Sequence, residues 1–169
     1  MAQDGMREIV IPADQATFWM DRSGYWCNRH GRFEHKKIIA HFHASIGRDT
    51  GGYFVSQMNG DVYEKVYFRY EDTPLFVFDV RPGDAIVLVL NTGRRMVLDP
   101  ETLFIRRDHL YARDGAELIK FNENSMLKMS RYLEHDGGQS FLRFKGERRV
   151  IPAMDDESAA PQKTERPTP

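Results

Sequence analysis

One cysteine, Cys27, in 169 residues rules out an intrachain disulfide, and nothing in the chain calls for an oxidising compartment. No apolar run approaches the ~18 residues of a membrane-spanning helix, and the opening MAQDGMREIVIPADQ lacks the apolar core of an export signal. Excess charge is missing too. The 24 Lys and Arg meet 25 Asp and Glu, so the chain has none of the basic surplus of a general polyanion binder. These absences lead us to expect a cytoplasmic protein without a membrane span. Catalytic signatures are equally scarce: there is no G-x-S-x-G elbow, no phosphate loop ending in Gly-Lys and no dinucleotide fingerprint. The Gly-rich run Gly47–Gly52 leaves a helix and enters a strand, the reverse of a phosphate cradle.

The chain is 41% hydrophobic and 29% charged, which is the profile of a globular protein. Residues 153–169, AMDDESAAPQKTERPTP, contain three prolines and no aromatic ring. Such a composition cannot offset the entropy of ordering the chain, so we expect a disordered tail. Taking away the tail's net −2 leaves the body near +1.

That body repeats itself. Thr17–Arg22 aligns with Thr102–Arg107, and Tyr25-Trp26-Cys27 with Leu110-Tyr111-Ala112, both 85 positions apart. Ile38-Ile39 aligns with Met126-Leu127 at 88, and Gly51-Gly52 with Gly137-Gly138 at 86. Asn59-Gly60-Asp61 and Lys145-Gly146-Glu147 also stand 86 apart. Each unit reads as two short strands, a helix and a hairpin, which predicts an α+β fold of two small, mostly antiparallel repeats. The boundaries expected are 14–72, 73–152 and a tail over 153–169. Ile38, Ile39, Phe42 and Ile46 predict one apolar helix stripe over 35–46. A second helix is expected to start near Asn124-Ser125 and to carry Met126, Leu127, Met129 and Leu133. Asp61–Tyr70 and Leu75–Arg81 alternate as strands do.

Several of these segments resemble one family. Gly24-Tyr25-Trp26, Ile38-Ile39 with Phe42, Gly52-Tyr53, Glu64-Lys65-Val66 and Glu71-Asp72-Thr73-Pro74-Leu75 are similar to the bacterial family called domain of unknown function 1285. The turn Arg81-Pro82-Gly83-Asp84 and the run Tyr111-Ala112-Arg113-Asp114-Gly115 continue the likeness, which spans roughly residues 17–150. The chain departs from the family pattern at His35, Val62 and Leu75, where that pattern has Arg, Pro and Phe. The resemblance implies a duplicated α+β core with a pleckstrin-homology-like C-terminal part, and a role in signal transduction or ligand binding. It implies no established activity.

The residues themselves offer three chemistries. Cys27, His30, His35, His41 and His43 are dense in metal-binding types, but they lack the two close pairs of a structural zinc site. They read as surface histidines beside a small buried thiol, and neither a metal nor another cofactor is expected. The even positions Val62, Glu64, Val66, Phe68 and Tyr70 make an apolar strand face with one carboxylate in it. That carboxylate needs a cation, or it becomes a site residue with a raised pKa. The odd positions Tyr63, Lys65, Tyr67 and Arg69 alternate rings with cations, as a base-stacking surface does, though the near-neutral body argues against nucleic acid.

The reading taken forward is a binding module without catalytic residues, holding a small ligand or a protein partner between the repeats. Its expected contacts are Trp26, Glu64, Lys65, Glu71 and Asp72. A small hydrolase or transferase using Glu64 and a histidine is the first alternative, and a nucleic-acid module using the Tyr63–Arg69 face is the second.

Overall fold

The computed structural model describes residues 5–155, which divide into two compact units between Pro74 and Leu75. The first unit contains β1 (Arg7–Ile11), β2 (Phe18–Met20), β3 (Trp26–Asn28), β4 (Gly31–Arg32), α1 (Lys36–Ala44), β5 (Ile46–Asp49), β6 (Gly52–Asn59), β7 (Val62–Tyr67) and β8 (Arg69–Tyr70). They form two four-stranded sheets, ordered β1-β7-β6-β5 and β4-β3-β2-β8. The pairs β1–β7 and β2–β8 are parallel, and the others are antiparallel.

The expected Asp61–Tyr70 strand is two strands in different sheets. The chain leaves β7 at Tyr67 and joins β2 as β8, while Phe68 between them is buried against Trp26, with ring centroids 4.9 Å apart. The packing of one ring therefore overrides the strand alternation. The helix stripe also differs. His35 caps α1 by accepting from the Ile38 amide, and the Ser45 amide and hydroxyl both donate to the His41 carbonyl at the far end. Ile38 is exposed and Ile46 belongs to β5, so His43 and Phe42 take the inward positions.

The second unit contains β9 (Leu75–Arg81), β10 (Val87–Leu90), β11 (Arg95–Val97), β12 (Leu103–Arg106), β13 (His109–Asp114), β14 (Glu117–Phe121), α2 (Glu123–Met129), β15 (Leu133–Asp136), β16 (Gln139–Phe144) and β17 (Glu147–Ile151). One sheet runs β11-β10-β9-β14-β13-β12 and the other β15-β16-β17. Only β9–β14 is parallel among the paired strands of this unit. Asn122 caps α2 by accepting from the Ser125 amide, two positions before the expected cap. Met129 is fully buried, Leu127 is exposed and Leu133 opens β15, so the expected four-residue stripe is shorter by half.

The order of three strands, a helix and three further strands recurs from β2 to β7 and from β12 to β17. The two final hairpins turn differently. Gly60 takes the left-handed conformation at the first turn position, whereas Lys145 and Gly146 are both left-handed. The expected tail boundary is corrected at its start. The Ile105 amide donates to the Pro152 carbonyl (2.9 Å), the Met154 amide donates to the Ile105 carbonyl (2.8 Å), and Met154 packs on Phe104, Tyr111 and Leu118. Two backbone bonds and a core contact thus hold residues that composition alone marks as solvated. Residues 156–169, the rest of the expected tail, lie outside the described residues. Among the described residues, no helix is long and apolar enough to cross a membrane.

Candidate functional site

The five residues expected as contacts have different surroundings. Trp26 is 1% exposed, ringed by Phe18, Phe42 and Phe68, and its indole Nε1 donates to His43 Nδ1 at 3.2 Å. Burial holds the His43 pKa down at about 4, so the ring is a neutral acceptor at pH 7. Trp26 is thus placed to pack the core. Glu71 is exposed at the end of β8, where its carboxylate accepts from the Arg22 amide (3.0 Å) and guanidinium (3.4 Å). Asp72 follows it in a half-buried bend.

Glu64 sits in the middle of β7, half-buried, opposite Ile9 on β1 and Gln57 on β6. Its carboxylate makes no hydrogen bond or ion pair with a described residue. The cationic partner expected from the sequence does not stand beside it. Glu64→Gln should therefore change stability by no more than about 0.5 kcal/mol in urea melts at pH 7, the range for substitutions that break no specific interaction. A loss of several kcal/mol would show that the carboxylate is paired.

Lys65 lies on the opposite face of β7 in a closed group. It bonds to Asp49, and its Nζ stands 4.4 Å from the centre of the Phe54 ring. The Tyr67 hydroxyl donates to the same carboxylate (2.8 Å), which is held below its usual range chiefly by Lys65. Arg69 belongs to another sheet, so the alternating ring-and-cation surface expected over 63–69 is not continuous, and its lysine already has a counter-ion. Two glycines make room for this group: a Cβ at Gly47 would lie 2.6 Å from Phe54, and one at Gly51 2.7 Å from the Tyr67 oxygen. We expect Gly51→Ala to displace the phenol and cost about 1–3 kcal/mol. Gly83→Ala, whose Cβ has only ordinary contacts at 3.8 Å, should cost less than about 0.5 kcal/mol. Parallel urea melts compare the two, and equal losses would contradict the steric argument.

The cysteine and histidines disperse. The Cys27 thiol donates toward Asp21 and the Tyr25 carbonyl, and burial, with the Asp21 charge adding to it, pushes its pKa up to about 11. That keeps it a thiol and a poor nucleophile. His35 caps a helix, His41 is exposed and His43 is buried on Trp26. Among the described residues, no three His, Cys, Asp or Glu side chains gather as metal ligands.

The second unit holds what the sequence reading missed, a cavity of about 310 Å³. Ile105, Leu110, Met126, Leu133 and Ile151 form an aliphatic lining, contributed by β12, β13, α2, β15 and β17. Asp108, His109, Glu134, His135 and Ser140 supply its polar groups. Register explains the pairing at this edge: His135 and Ser140 face each other across β15 and β16, with Nδ1 and Oγ 3.3 Å apart. Glu134 is bound by Arg143 and by Arg148 (3.2 Å), and these cations, Arg143 foremost, hold it below the usual carboxylate range. Its charge is therefore answered within the sheet. Asp108 comes from the β12–β13 turn, where Arg107 (φ 51°) and Asp108 (φ 63°) are both left-handed without being glycine. Such a backbone persists only where its surroundings enforce it. No single motif could have announced this site, since its walls are scattered over six elements and a turn.

A scan against models of protein families and a search of curated proteins both find no match. Among solved structures, the fold is similar to that of a DUF1285 family protein from Silicibacter pomeroyi, with a TM-score of 0.55 and 16% identity over 86% of this chain and 84% of that one. A DUF1285 family protein from Shewanella baltica gives a TM-score of 0.48 and 14% identity over 70% of this chain and 94% of that one, too loose a likeness to carry an argument. At these identities the similarity concerns the fold alone, and the neighbour from Silicibacter pomeroyi belongs to the family that the quoted sequence segments resemble.

Proposed function

We infer that the protein is a ligand-binding module whose site is the cavity of the second unit. The observation that carries this is the cavity itself: about 310 Å³, lined by aliphatic side chains, with polar groups gathered on it. A binding site for a small molecule needs an apolar lining for affinity and a few placed polar groups for orientation. Trp26, Glu64 and Lys65 are engaged in core, sheet and ion-pair contacts.

A hydrolytic reading draws on the His135–Ser140 contact. Activating a serine takes a base that is itself oriented by a third group. The adjacent carboxylate, Glu134, is held by two arginines, and no described residue bonds to His135 Nε2. The pair is better suited to orienting a ligand than to transferring a proton.

The reading is tested by a thermal-shift screen of small amphipathic compounds on the wild type and on Leu133→Trp, which fills the cavity. Hits that raise the melting temperature of the wild type alone support it, because a ligand specific to the folded state stabilises by mass action. Hits that stabilise both proteins equally place binding elsewhere and overturn it.

A further inference from the structure

Resting on the cavity reading above, we propose that the ligand is a medium-length saturated hydrocarbon chain ending in a carbonyl oxygen, with the chain on the aliphatic lining and the oxygen at His135 and Ser140. The apolar lining consists of Ile, Leu and Met side chains with no Phe, Tyr or Trp, and its planar groups, the imidazoles of His109 and His135, belong to the polar part. The apolar part therefore attracts by burying methylene groups and not by stacking. Met126 adds an unbranched, adaptable wall that moulds to a flexible chain. At roughly 30 Å³ for each water-sized unit, the space holds about ten such groups.

The polar end follows from the strand register. His135 Nδ1 and Ser140 Oγ lie 3.3 Å apart. His135 is exposed, so with the hydroxyl donating to Nδ1 its Nε2–H meets water in the free protein and is open to an incoming acceptor. A carbonyl oxygen takes that water's place. Glu134 does not oppose it, because Arg143 and Arg148 answer its charge. Asp108 does add a negative charge at the cavity, so an uncharged ester binds at least as well as a free carboxylate. The same chain and carbonyl occur in a free fatty acid and in an acyl group esterified to a carrier.

The experiment titrates the wild type with hexanoate, octanoate and decanoate below their micelle concentrations, and with methyl octanoate and 2-naphthoate, following backbone amide shifts. Affinity should rise by up to about fourfold per methylene, the value of burying one such group. Longer carboxylates should bring no further gain once the cavity is full, and the shifts should centre on Leu110, Leu133 and Ile151. Methyl octanoate against octanoate distinguishes the two sources of the acyl group. His135→Phe should reduce the preference of the site for octanoate over 1-octanol, which has the same chain without a carbonyl, by at least several-fold, and unchanged discrimination would overturn the assignment of the head group. Affinity that ignores chain length, or favours 2-naphthoate, would overturn the hydrocarbon chain while leaving the cavity reading intact. Absence of shifts at the cavity with every probe would overturn both.

Discussion

Acidification from pH 7 to pH 4 is expected to remove about 3 kcal/mol of folding stability through His43 alone, at 1.36 kcal/mol per pKa unit. The group has its ordinary pKa of 6.5 in the unfolded chain and about 4 in the fold, where burial disfavours the charged ring. Between those values the unfolded state binds a proton that the folded state refuses. Stability from this group is thus complete above pH 6.5, falls as the pH drops toward 4, and is fully lost below it. His43→Gln keeps an acceptor for the Trp26 indole and does not titrate. Urea melts at pH 7, 5.5 and 4 should show the wild type losing about 3 kcal/mol more than the mutant over that interval. The depressed carboxylates of Asp49, Asp79 and Glu134, each held down first by a bonded cation, also lose their contribution as the pH falls further. They are present in both proteins and cancel. Parallel curves for wild type and mutant would contradict the burial of a neutral His43.

Trp26→Ala should cost about 3–5 kcal/mol, the usual range for removing a large buried aromatic side chain. The indole ring centre lies within 5.7 Å of the ring centres of Phe18, Phe42 and Phe68, and its Nε1 donates to His43 Nδ1 at 3.2 Å. Against a total stability of about 5–15 kcal/mol for a typical domain, that loss brings the first unit close to unfolding at room temperature. Trp26→Phe retains most of the apolar bulk and removes the hydrogen bond, so its loss should be smaller, about 1–2 kcal/mol. Chemical denaturation of the three proteins orders them. A fully stable Trp26→Ala protein would mean that the indole is a surface contact and not part of the core.

The sequence made the architecture legible wherever one rule dominated. Glycines at the turns, short apolar strands and two brief helices marked the repeated order of elements, and the fold similarity is to a family that the quoted segments already resembled. It was least legible where two rules competed. Strand alternation runs unbroken through Phe68, yet the aromatic core takes that ring and the chain changes sheets there. Helical periodicity placed Ile38 inward, while the fold buries His43, a choice that depends on the Trp26 indole being within reach. Composition assigned Met154 to the tail, though the backbone of Ile105 holds it in place.

The candidate site shows the same limit more sharply. Lys65 and Glu64 attracted notice because charge in an apolar strand is costly, and in the fold one has a nearby Asp49 and the other keeps a half-buried place on the sheet without a cation beside it. The cavity residues attracted none. Leu133 and Met126 looked like a helix stripe, and His135 and Ser140 become neighbours only through the β15–β16 register. Contacts made by strand pairing are invisible until the pairing is known.

The central claim is that ligand enters the second unit's cavity, and the methyl group of Met126 reports on it directly. With the methionines labelled at their methyl carbons, decanoate is titrated while the methyl spectrum is followed. Met126 lines the cavity and Met58 is exposed on β6 of the first unit, so the two serve as probe and control. The account predicts a saturable shift of the Met126 methyl with Met58 unmoved. A shift confined to Met58, with Met126 unchanged at saturation, would contradict it.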